Sequence, residues 1–224
     1  LVAQTSITSM NVTNSFSGVD LFESKLKITI KADFSVANAA GKLYYVIYKT
    51  MPSTTPTSQQ IENFVNGSEM PEGMVAKNSL VITDDIESSV AVTLNEKILY
   101  YTYGVCKGSD GSYSNVWLKK TRLLTAKKSL NSYHYVEKLP AAYNATSQYG
   151  LLVFLHGAGE VDWTRPTKVA NLANVLKVGL PNIIEQGNDV HDFFDNVIVI
   201  CPQAPVNTWE PRVLDAFLED LKTK

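Results

Sequence analysis

The sequence predicts a two-domain protein, with an all-β sandwich over residues 1–125 and an α/β domain built on a parallel sheet over residues 126–224. Up to about Leu124, short runs alternate between apolar and polar residues, which is typical of strands with one buried face. After Leu124, two runs are continuously apolar, which indicates strands covered on both faces of a parallel sheet. Stretches with helical spacing follow both runs and complete an α/β order.

The first half contains seven alternating runs, a strand number typical of a small β-sandwich. One of them, "KLKITIKADF", places Leu26, Ile28 and Ile30 on one face and polar residues on the other. A helical turn over Thr55–Gly67 interrupts the strands. The predicted strands are Thr5–Thr13, Lys25–Phe34, Lys42–Lys49, Ser79–Thr83, Ser89–Leu94, Ile98–Lys107 and Tyr113–Leu124.

The second half predicts strands and helices in turn. A strand within "YHYVEKLP" precedes the two apolar runs, "LLVFLHG" and "NVIVICPQ". Between these runs, Thr167–Gly179 has a helical stripe, and Gly179 is expected to end that helix. The stripe consists of Val169, Leu172, Val175 and Leu176. A last helix within Thr208–Lys224 has a stripe of Val213, Leu214, Phe217, Leu218 and Leu221.

Composition limits the classes of partner. The 224 residues include 20 basic and 22 acidic side chains, for a net charge of −2, and no basic stripe could neutralise phosphates. We therefore expect no nucleic-acid partner. No run of 18 apolar residues occurs, so we expect no transmembrane segment. Cys106 and Cys201 lie in apolar strand patterns and are expected to be buried free thiols.

The turn His156-Gly157-Ala158-Gly159 is the strongest candidate site in the sequence. It follows an apolar run, and loops at the carboxyl ends of strands carry the sites of open parallel sheets. Glycines let a backbone approach a ligand closely, so amides can face a carbonyl oxygen that becomes negative during acyl transfer. The turn therefore predicts half of an oxyanion hole. Possible lining residues of the adjoining cleft are Glu160, Trp163, Gln203 and Trp209.

The segment "LNEKILYYTYGVC" resembles the fibronectin type III pattern, in which a leucine and a short turn precede a tyrosine that starts the next-to-last strand. Leu94 and Tyr100 would be that pair, with Tyr101 as the alternative tyrosine. The tyrosine hydroxyl would bond back to the backbone of the connecting corner. The resemblance covers about residues 1–125 and implies an immunoglobulin/fibronectin-like sandwich.

The second half resembles another family, through the blocks "LPAAYNATSQYGLLVFLHGAGE", "GLPNII", "VIVICPQ" and "WEPRVL" in that order. Together they are similar to the opening of α/β-hydrolases of the secreted esterase group, which includes feruloyl-esterase-like and polyhydroxybutyrate-depolymerase-like enzymes. The resemblance implies that Gly157 or Ala158 supplies one oxyanion amide and that His156 shapes the loop. One departure is Val161-Asp162-Trp163, where many relatives have an Arg-Gly pair, and it leaves the entrance geometry open.

The nucleophile of this family is a serine in a Gly-X-Ser-X-Gly elbow, and the chain contains no such motif. We therefore expect the amino-terminal part of a truncated serine esterase, inactive by itself because the catalytic serine, acid and histidine are missing. The resemblance implies ester groups of a polysaccharide or polyester as substrate, no metal and no other cofactor, and a secreted or cell-surface protein whose signal peptide is already removed. An incomplete sheet also predicts self-association.

Other assignments stay open at the level of sequence. The alternative function is a non-catalytic secreted module that binds carbohydrate or protein, with the second half as a degenerate scaffold. His156 could also be a catalytic base or a packed side chain. A polar turn or a metal site could explain Asp189, His191, Asp192 and Asp195. Core packing or a sugar-stacking platform could explain Tyr44, Tyr45, Tyr48, Tyr100, Tyr101 and Tyr103.

Overall fold

A computed structural model describes the protein over residues 5–18, 22–34, 39–129, 133–161, 169–189 and 192–222. The chain divides into two compact units. Unit 1 consists of Leu1–Thr13 and Leu26–Thr121, and unit 2 consists of Asn14–Lys25 and Arg122–Lys224. Each unit is therefore assembled from two separate stretches of chain.

Seven strands form the two sheets of the first half. The sheet orders are β4-β3-β6-β7 and β1-β2-β5, and β3 pairs antiparallel with both β4 and β6. Each predicted strand overlaps one observed strand, and β1 and β2 contribute residues to both units. The strands are β1 (Ser6–Ser17), β2 (Glu23–Asp33), β3 (Ala40–Tyr48), β4 (Met74–Thr83), β5 (Ser88–Thr93), β6 (Leu99–Lys107) and β7 (Trp117–Arg122).

Burial follows the residue pattern that predicts the strands. The alternating face of β2 is confirmed, because Leu26, Ile28 and Ile30 are fully buried. The predicted helical turn is the helix α1 (Ser58–Asn66), which begins with a capping box between Thr57 and Gln60. Its buried Ile61 packs with the inward side chains of β3, so the helix covers one face of that strand.

Tyr100 ties the β5–β6 corner together. Its hydroxyl donates to the carbonyl oxygen of Glu96 over 2.8 Å, and its ring is buried at the start of β6. Burial raises the pKa of Tyr100 to about 12, so the phenol keeps the proton that it donates. Of the two tyrosines that the sequence leaves open, Tyr100 therefore makes this backbone bond.

We expect Tyr100→Phe to lower the free energy of unfolding by about 1–2 kcal/mol, because the Glu96 carbonyl loses its donor while the ring stays packed. Tyr101→Phe is the matched control and should change it by less than about 0.5 kcal/mol. Urea unfolding of both variants measures the difference. Equal effects of the two substitutions would contradict the role given to Tyr100.

The sheet of unit 2 is mixed, and this corrects the predicted fold class. Its strands are β8 (Thr125–Lys127), β9 (Tyr135–Lys138), β10 (Gly150–Val153) and β11 (Val197–Pro202), in the order β10-β11-β9-β8. Only β10 and β11 pair in parallel, whereas β9 pairs antiparallel with both β11 and β8. The predicted α/β-hydrolase domain with a parallel sheet is therefore wrong, and most of the regular structure of the chain is β-strand arranged in antiparallel or mixed sheets.

Two physical features explain this error. The connection from β8 to β9, residues 128–134, is shorter than the crossover of about a dozen residues that parallel neighbours need. The apolar run around β10 also does not indicate burial on both faces, because β10 is an edge strand and Leu151 remains 49% exposed. A short apolar run therefore predicts a strand here, but not its place in the sheet.

The helices of unit 2 differ in part from the prediction. The stripe between the apolar runs forms a 3₁₀ segment, Val169–Leu176, in which Leu172, Val175 and Leu176 are buried. Gly179, predicted as a stop, instead begins the helix α2 (Gly179–Glu185). Its φ of +65° and its closeness to the Phe154 ring both favour glycine there.

The last predicted helix is confirmed as α3 (Pro211–Lys222). Phe217, in the middle of the predicted stripe, is fully buried. Its ring lies edge-on to Tyr133 and Tyr135, with centroids 5.7 and 5.4 Å away. This aromatic cluster packs α3 onto the sheet of unit 2.

A buried polar cluster joins three segments of unit 2 around Asn14. The backbone N–H and the side-chain amide of Asn14 both donate to Glu185 Oε1, over 2.7 and 2.9 Å. The Asn14 side chain also accepts from the Leu124 N–H and donates to the Arg122 carbonyl. Burial raises the pKa of Glu185, although the two bonds from Asn14 act in the opposite direction.

This raised pKa predicts a pH dependence of stability. The folded chain holds the Glu185 proton more tightly than the unfolded chain, so the contribution is complete below the ordinary pKa of 4.5 and is lost as pH rises through the raised pKa. Glu185→Gln should flatten the fall in unfolding free energy above pH 4.5, and the exposed Glu210→Gln should not. Urea unfolding across pH 4–8 tests this, and identical pH profiles for wild type and Glu185→Gln would contradict it.

Candidate functional site

The His-Gly-Ala-Gly turn lies at the carboxyl end of β10, beside the chain that leaves β11. Because β10 and β11 run in parallel, their carboxyl ends meet at one edge of the sheet, and the Phe154 N–H donates to the Ile200 carbonyl there. A small cavity of about 190 Å³ lies between the two segments. Its lining includes His156, Gly157, Ala158, Ala204, Thr208 and Trp209.

The imidazole of His156 bridges the two segments. Its Nε2 accepts the Ala204 N–H over 2.9 Å, so the ring proton must lie on Nδ1. The Nδ1 atom is 2.6 Å from the Gly157 carbonyl oxygen and donates to it. Burial lowers the pKa of His156, which keeps the ring neutral. Both nitrogens are thus engaged with backbone groups, which gives His156 a positioning role and argues against its use as a general base.

Trp209, in the segment that follows β11, contacts His156 through a hydrogen bond and through its ring. Its indole N–H donates to the His156 carbonyl over 3.1 Å, and the two rings meet edge to face with centroids 4.9 Å apart. The indole also meets the Tyr133 ring edge to face, with centroids 5.3 Å apart. Trp209 therefore lines the cavity and also packs into unit 2.

Gln203 holds the loop rather than facing a ligand. Its side-chain N–H groups donate to the carbonyl oxygens of Glu160 and Asn171, over 2.8 and 2.9 Å. The residue is 1% exposed. Since Gln203 is buried and both bonds go to backbone oxygens, it fixes the loop that follows the turn.

Glu160 is largely buried behind the turn. One of its carboxylate oxygens lies 4.0 Å from His156 Nδ1, and this charge acts against the burial that lowers the histidine pKa. The carboxylate therefore favours the charged ring and offsets part of the effect of burial, and at 4.0 Å it is too far away to be a hydrogen-bond partner. Trp163, the remaining predicted lining residue, lies outside the described residues.

The backbone of Gly157, Ala158 and Gly159 is the exposed part of the site. Gly157 is extended, with φ of −87° and ψ of −168°, and Ala158 begins a single 3₁₀ turn, Ala158–Glu160. A side chain placed at Gly159 would meet open space. The turn is thus held from inside by His156 and Gln203, while its outer surface is accessible to a ligand.

Nucleophiles are scarce around this turn. Among the described residues that line the cavity, Thr208 supplies the single side-chain hydroxyl. Cys106 and Cys201 are free and buried, as predicted, and burial raises the pKa of each thiol to about 12. Neither cysteine is therefore a candidate thiolate nucleophile.

Of the four possible metal ligands, the one whose side chain the structure describes forms ion pairs instead. Asp189 accepts two bonds from the Arg122 guanidinium, over 2.8 and 3.1 Å, and lies 3.6 Å from the Lys138 ammonium. Two cations therefore balance this carboxylate. His191 lies outside the described residues, as do the side chains of Asp192 and Asp195.

A second group of ionisable side chains surrounds Glu62 in unit 1. Lys107 Nζ donates to both Glu62 carboxylate oxygens, over 3.0 and 2.8 Å, and the Tyr113 hydroxyl also donates to this carboxylate. Burial acts to raise the pKa of Glu62, but these bonds outweigh burial and lower it. The cluster fixes α1 against β6 and is explained by structure alone.

The six tyrosines do not form a surface platform. Tyr101 is half-buried, and the other five are buried in unit 1. Tyr48 and Tyr103, for example, meet edge to face at 5.9 Å. Core packing therefore accounts for them.

No protein-family model matches the chain, and no curated protein sequence matches it. The similarity to esterases and to fibronectin type III domains thus rests on the short motifs alone. Within the part of the chain that the structure describes, no helix combines the length and the apolar character needed to cross a membrane.

The sequence does not reveal what holds the turn in place. The pattern predicts Gln203 as a cleft-lining residue and indicates no role for Ala204, yet both bond to the turn region from the segment that follows β11. Gln203 is a polar residue directly after an apolar strand. A polar side chain in that position indicates that it satisfies buried backbone groups. The sequence places the two segments beside one cleft, but no pattern within either indicates which side chains bond them together.

We expect the His156 pKa to lie below its ordinary value of 6.5 and the neutral ring to be protonated on Nδ1, since burial disfavours the cation. Unfolded chains take up this proton first as pH falls, so stability decreases from about pH 6.5 toward the lowered pKa. Long-range ¹H–¹⁵N NMR of the ring nitrogens between pH 4.5 and 8 measures tautomer and titration. A ring protonated on Nε2, or one that titrates near 6.5, would refute the bridge between the two segments.

Proposed function

We propose that unit 2 supplies the oxyanion loop of a serine esterase that acts on ester groups of a polysaccharide or polyester. The observation that carries the proposal is the accessible Gly157–Gly159 backbone, held from inside by the two hydrogen bonds of the His156 ring. The motif resemblance supports the choice of acyl-transfer chemistry.

A rigid glycine-containing turn suits this chemistry. Acyl transfer develops negative charge on the carbonyl oxygen, and backbone N–H groups stabilise that charge best when they are fixed before the reaction. His156 and Gln203 fix the turn without using its outer surface, and the neutral imidazole adds no charge that would compete for the oxyanion. Gly157 or Ala158 would be the donor.

The serine nucleophile, the acid and the catalytic histidine would lie outside the 224 residues. His156 is committed to two backbone groups, and the chain has no Gly-X-Ser-X-Gly motif. The chain alone would therefore not turn over ester substrates. Secretion, which the resemblance implies, is part of the same proposal.

Self-association through β10 is a further element of the proposal. This strand lies at one edge of its sheet, and Leu151 and Leu155 nearby are exposed. Edge strands with exposed apolar side chains tend to pair with another strand. A second copy of the chain is the simplest source of that strand.

One observation favours a second candidate function, a non-catalytic module that binds carbohydrate or protein. The single histidine at the turn has both nitrogens engaged, and the lining of the cavity offers a threonine rather than a serine or cysteine. A scaffold that once carried an active site would have these features. The two candidates differ in whether the natural gene product reacts with a serine-directed probe.

We expect the product of the natural gene to take up one fluorophosphonate adduct on a serine, in a polypeptide heavier than 24.7 kDa. Intact-mass spectrometry with peptide mapping locates the adduct. A product without any adduct, under conditions in which a known serine esterase is labelled, would sink the esterase proposal and favour the binding module.

Ala158→Pro distinguishes the two possible oxyanion donors. Proline removes the amide N–H at the first position of a short helical turn, and the extended Gly157 suits the residue before proline. If Ala158 is the donor, the substitution made in the product of the natural gene should lower kcat for ester hydrolysis by about 100-fold or more, and Gly159→Ala in the same product should have little effect. An unchanged kcat for Ala158→Pro would exclude the Ala158 amide and leave Gly157 as the only proposed donor of the turn.

A further inference from the structure

A second cavity, of about 380 Å³, lies in unit 1 at the end of β3. The loop between β3 and α1 forms one wall, and α1 itself forms another. The short segment before β4 closes the third side. This volume is near the lower end of the range of about 300–1,000 Å³ that small-molecule sites occupy.

The walls of this cavity are fixed by hydrogen bonds to backbone carbonyl oxygens. The Lys49 N–H donates to the Gly73 carbonyl over 2.8 Å, which joins the two loops. The Lys77 ammonium donates to three carbonyl oxygens at the end of α1, those of Phe64, Gly67 and Glu69, over 2.6–2.8 Å. The cavity is therefore preformed, so a ligand would not have to order its walls.

The lining combines an apolar floor with hydrogen-bonding groups at the rim. The floor consists of Phe64, which is half-buried and packs against the core cluster of unit 1, together with Met51, whereas the lining residue Tyr48 is itself buried in that cluster. The side chain of Met51 is apolar and 58% exposed. Gln60 and Glu72 are exposed polar residues of the rim. The Gln60 side-chain oxygen accepts a hydrogen bond from the Thr57 N–H. The NH₂ group of Gln60 is therefore the part that can donate to a ligand.

The charge of the lining restricts the ligand. Glu72 is the one charged side chain among the described lining residues, so no cation is present there to bind a phosphate or carboxylate. Burial raises the pKa of Tyr48, which keeps the phenol neutral. The hydroxyls of Thr50, Ser53 and Thr54 add further donors and acceptors. A neutral ligand with an apolar face and many hydroxyl groups fits this set best.

We propose that this cavity binds one or two units of a neutral saccharide. The apolar floor would contact the C–H face of a sugar ring, while the Glu72 carboxylate and the Gln60 amide bond its hydroxyls. Three lining prolines, Pro52, Pro56 and Pro71, limit the freedom of the walls. The site lies within unit 1 and does not depend on the esterase proposal.

The test is a ¹H–¹⁵N NMR titration of the whole chain with neutral tetrasaccharides of β-1,4-linked glucose, xylose and mannose, up to about 10 mM. At least one sugar should shift amide signals of the cavity walls. Met51→Ala and Glu72→Ala should each weaken that binding about tenfold.

Met70→Ala and Glu69→Ala are the matched controls, because both residues are exposed and neither lines the cavity. They should leave the affinity within about twofold of wild type. The proposal is overturned if no sugar binds, if the controls weaken binding as much as the cavity variants, or if a proline decapeptide shifts the same signals while the sugars do not. The ¹H–¹⁵N spectrum of each free variant confirms that it is folded.

Discussion

The parallel pairing of β10 with β11 is the constraint on which the candidate site depends. It brings two segments far apart in the chain to the same edge of one sheet, where the His156 ring can accept from one and donate to the other. With antiparallel pairing, the carboxyl end of β10 would face the start of β11, and the ring would have no second partner. The turn, the cavity and the position of Trp209 all follow from that alignment.

The strands of the first half were predictable because their signal is local. An alternating run such as Leu26, Ile28 and Ile30 must bury one face, whatever its neighbours are. The same is true of α1, whose capping box is contained within four residues. The sequence narrows the tyrosine that bonds to the corner to two residues but does not decide between them, since Tyr100 and Tyr101 are adjacent and carry the same hydroxyl group.

The mixed sheet was not predictable by the same means. The apolar run at β10 looks like a central strand, but exposure of Leu151 depends on which strands pair with its two edges. A glycine after a helical stripe favours a helix end, yet Gly179 begins α2, where its positive φ and its closeness to Phe154 both favour glycine. Sequence indicated the loop that carries the candidate site, and long-range pairing decided which side chains support it.

The two buried cysteines provide one internal reporter in each unit, because Cys106 belongs to unit 1 and Cys201 to unit 2. A thiol that is inaccessible in the folded state reacts with an alkylating reagent only while its surroundings are open. The labelling rate of each cysteine therefore records how often its own unit opens, without any engineered probe. Comparing the two rates would reveal whether the units unfold together or one at a time.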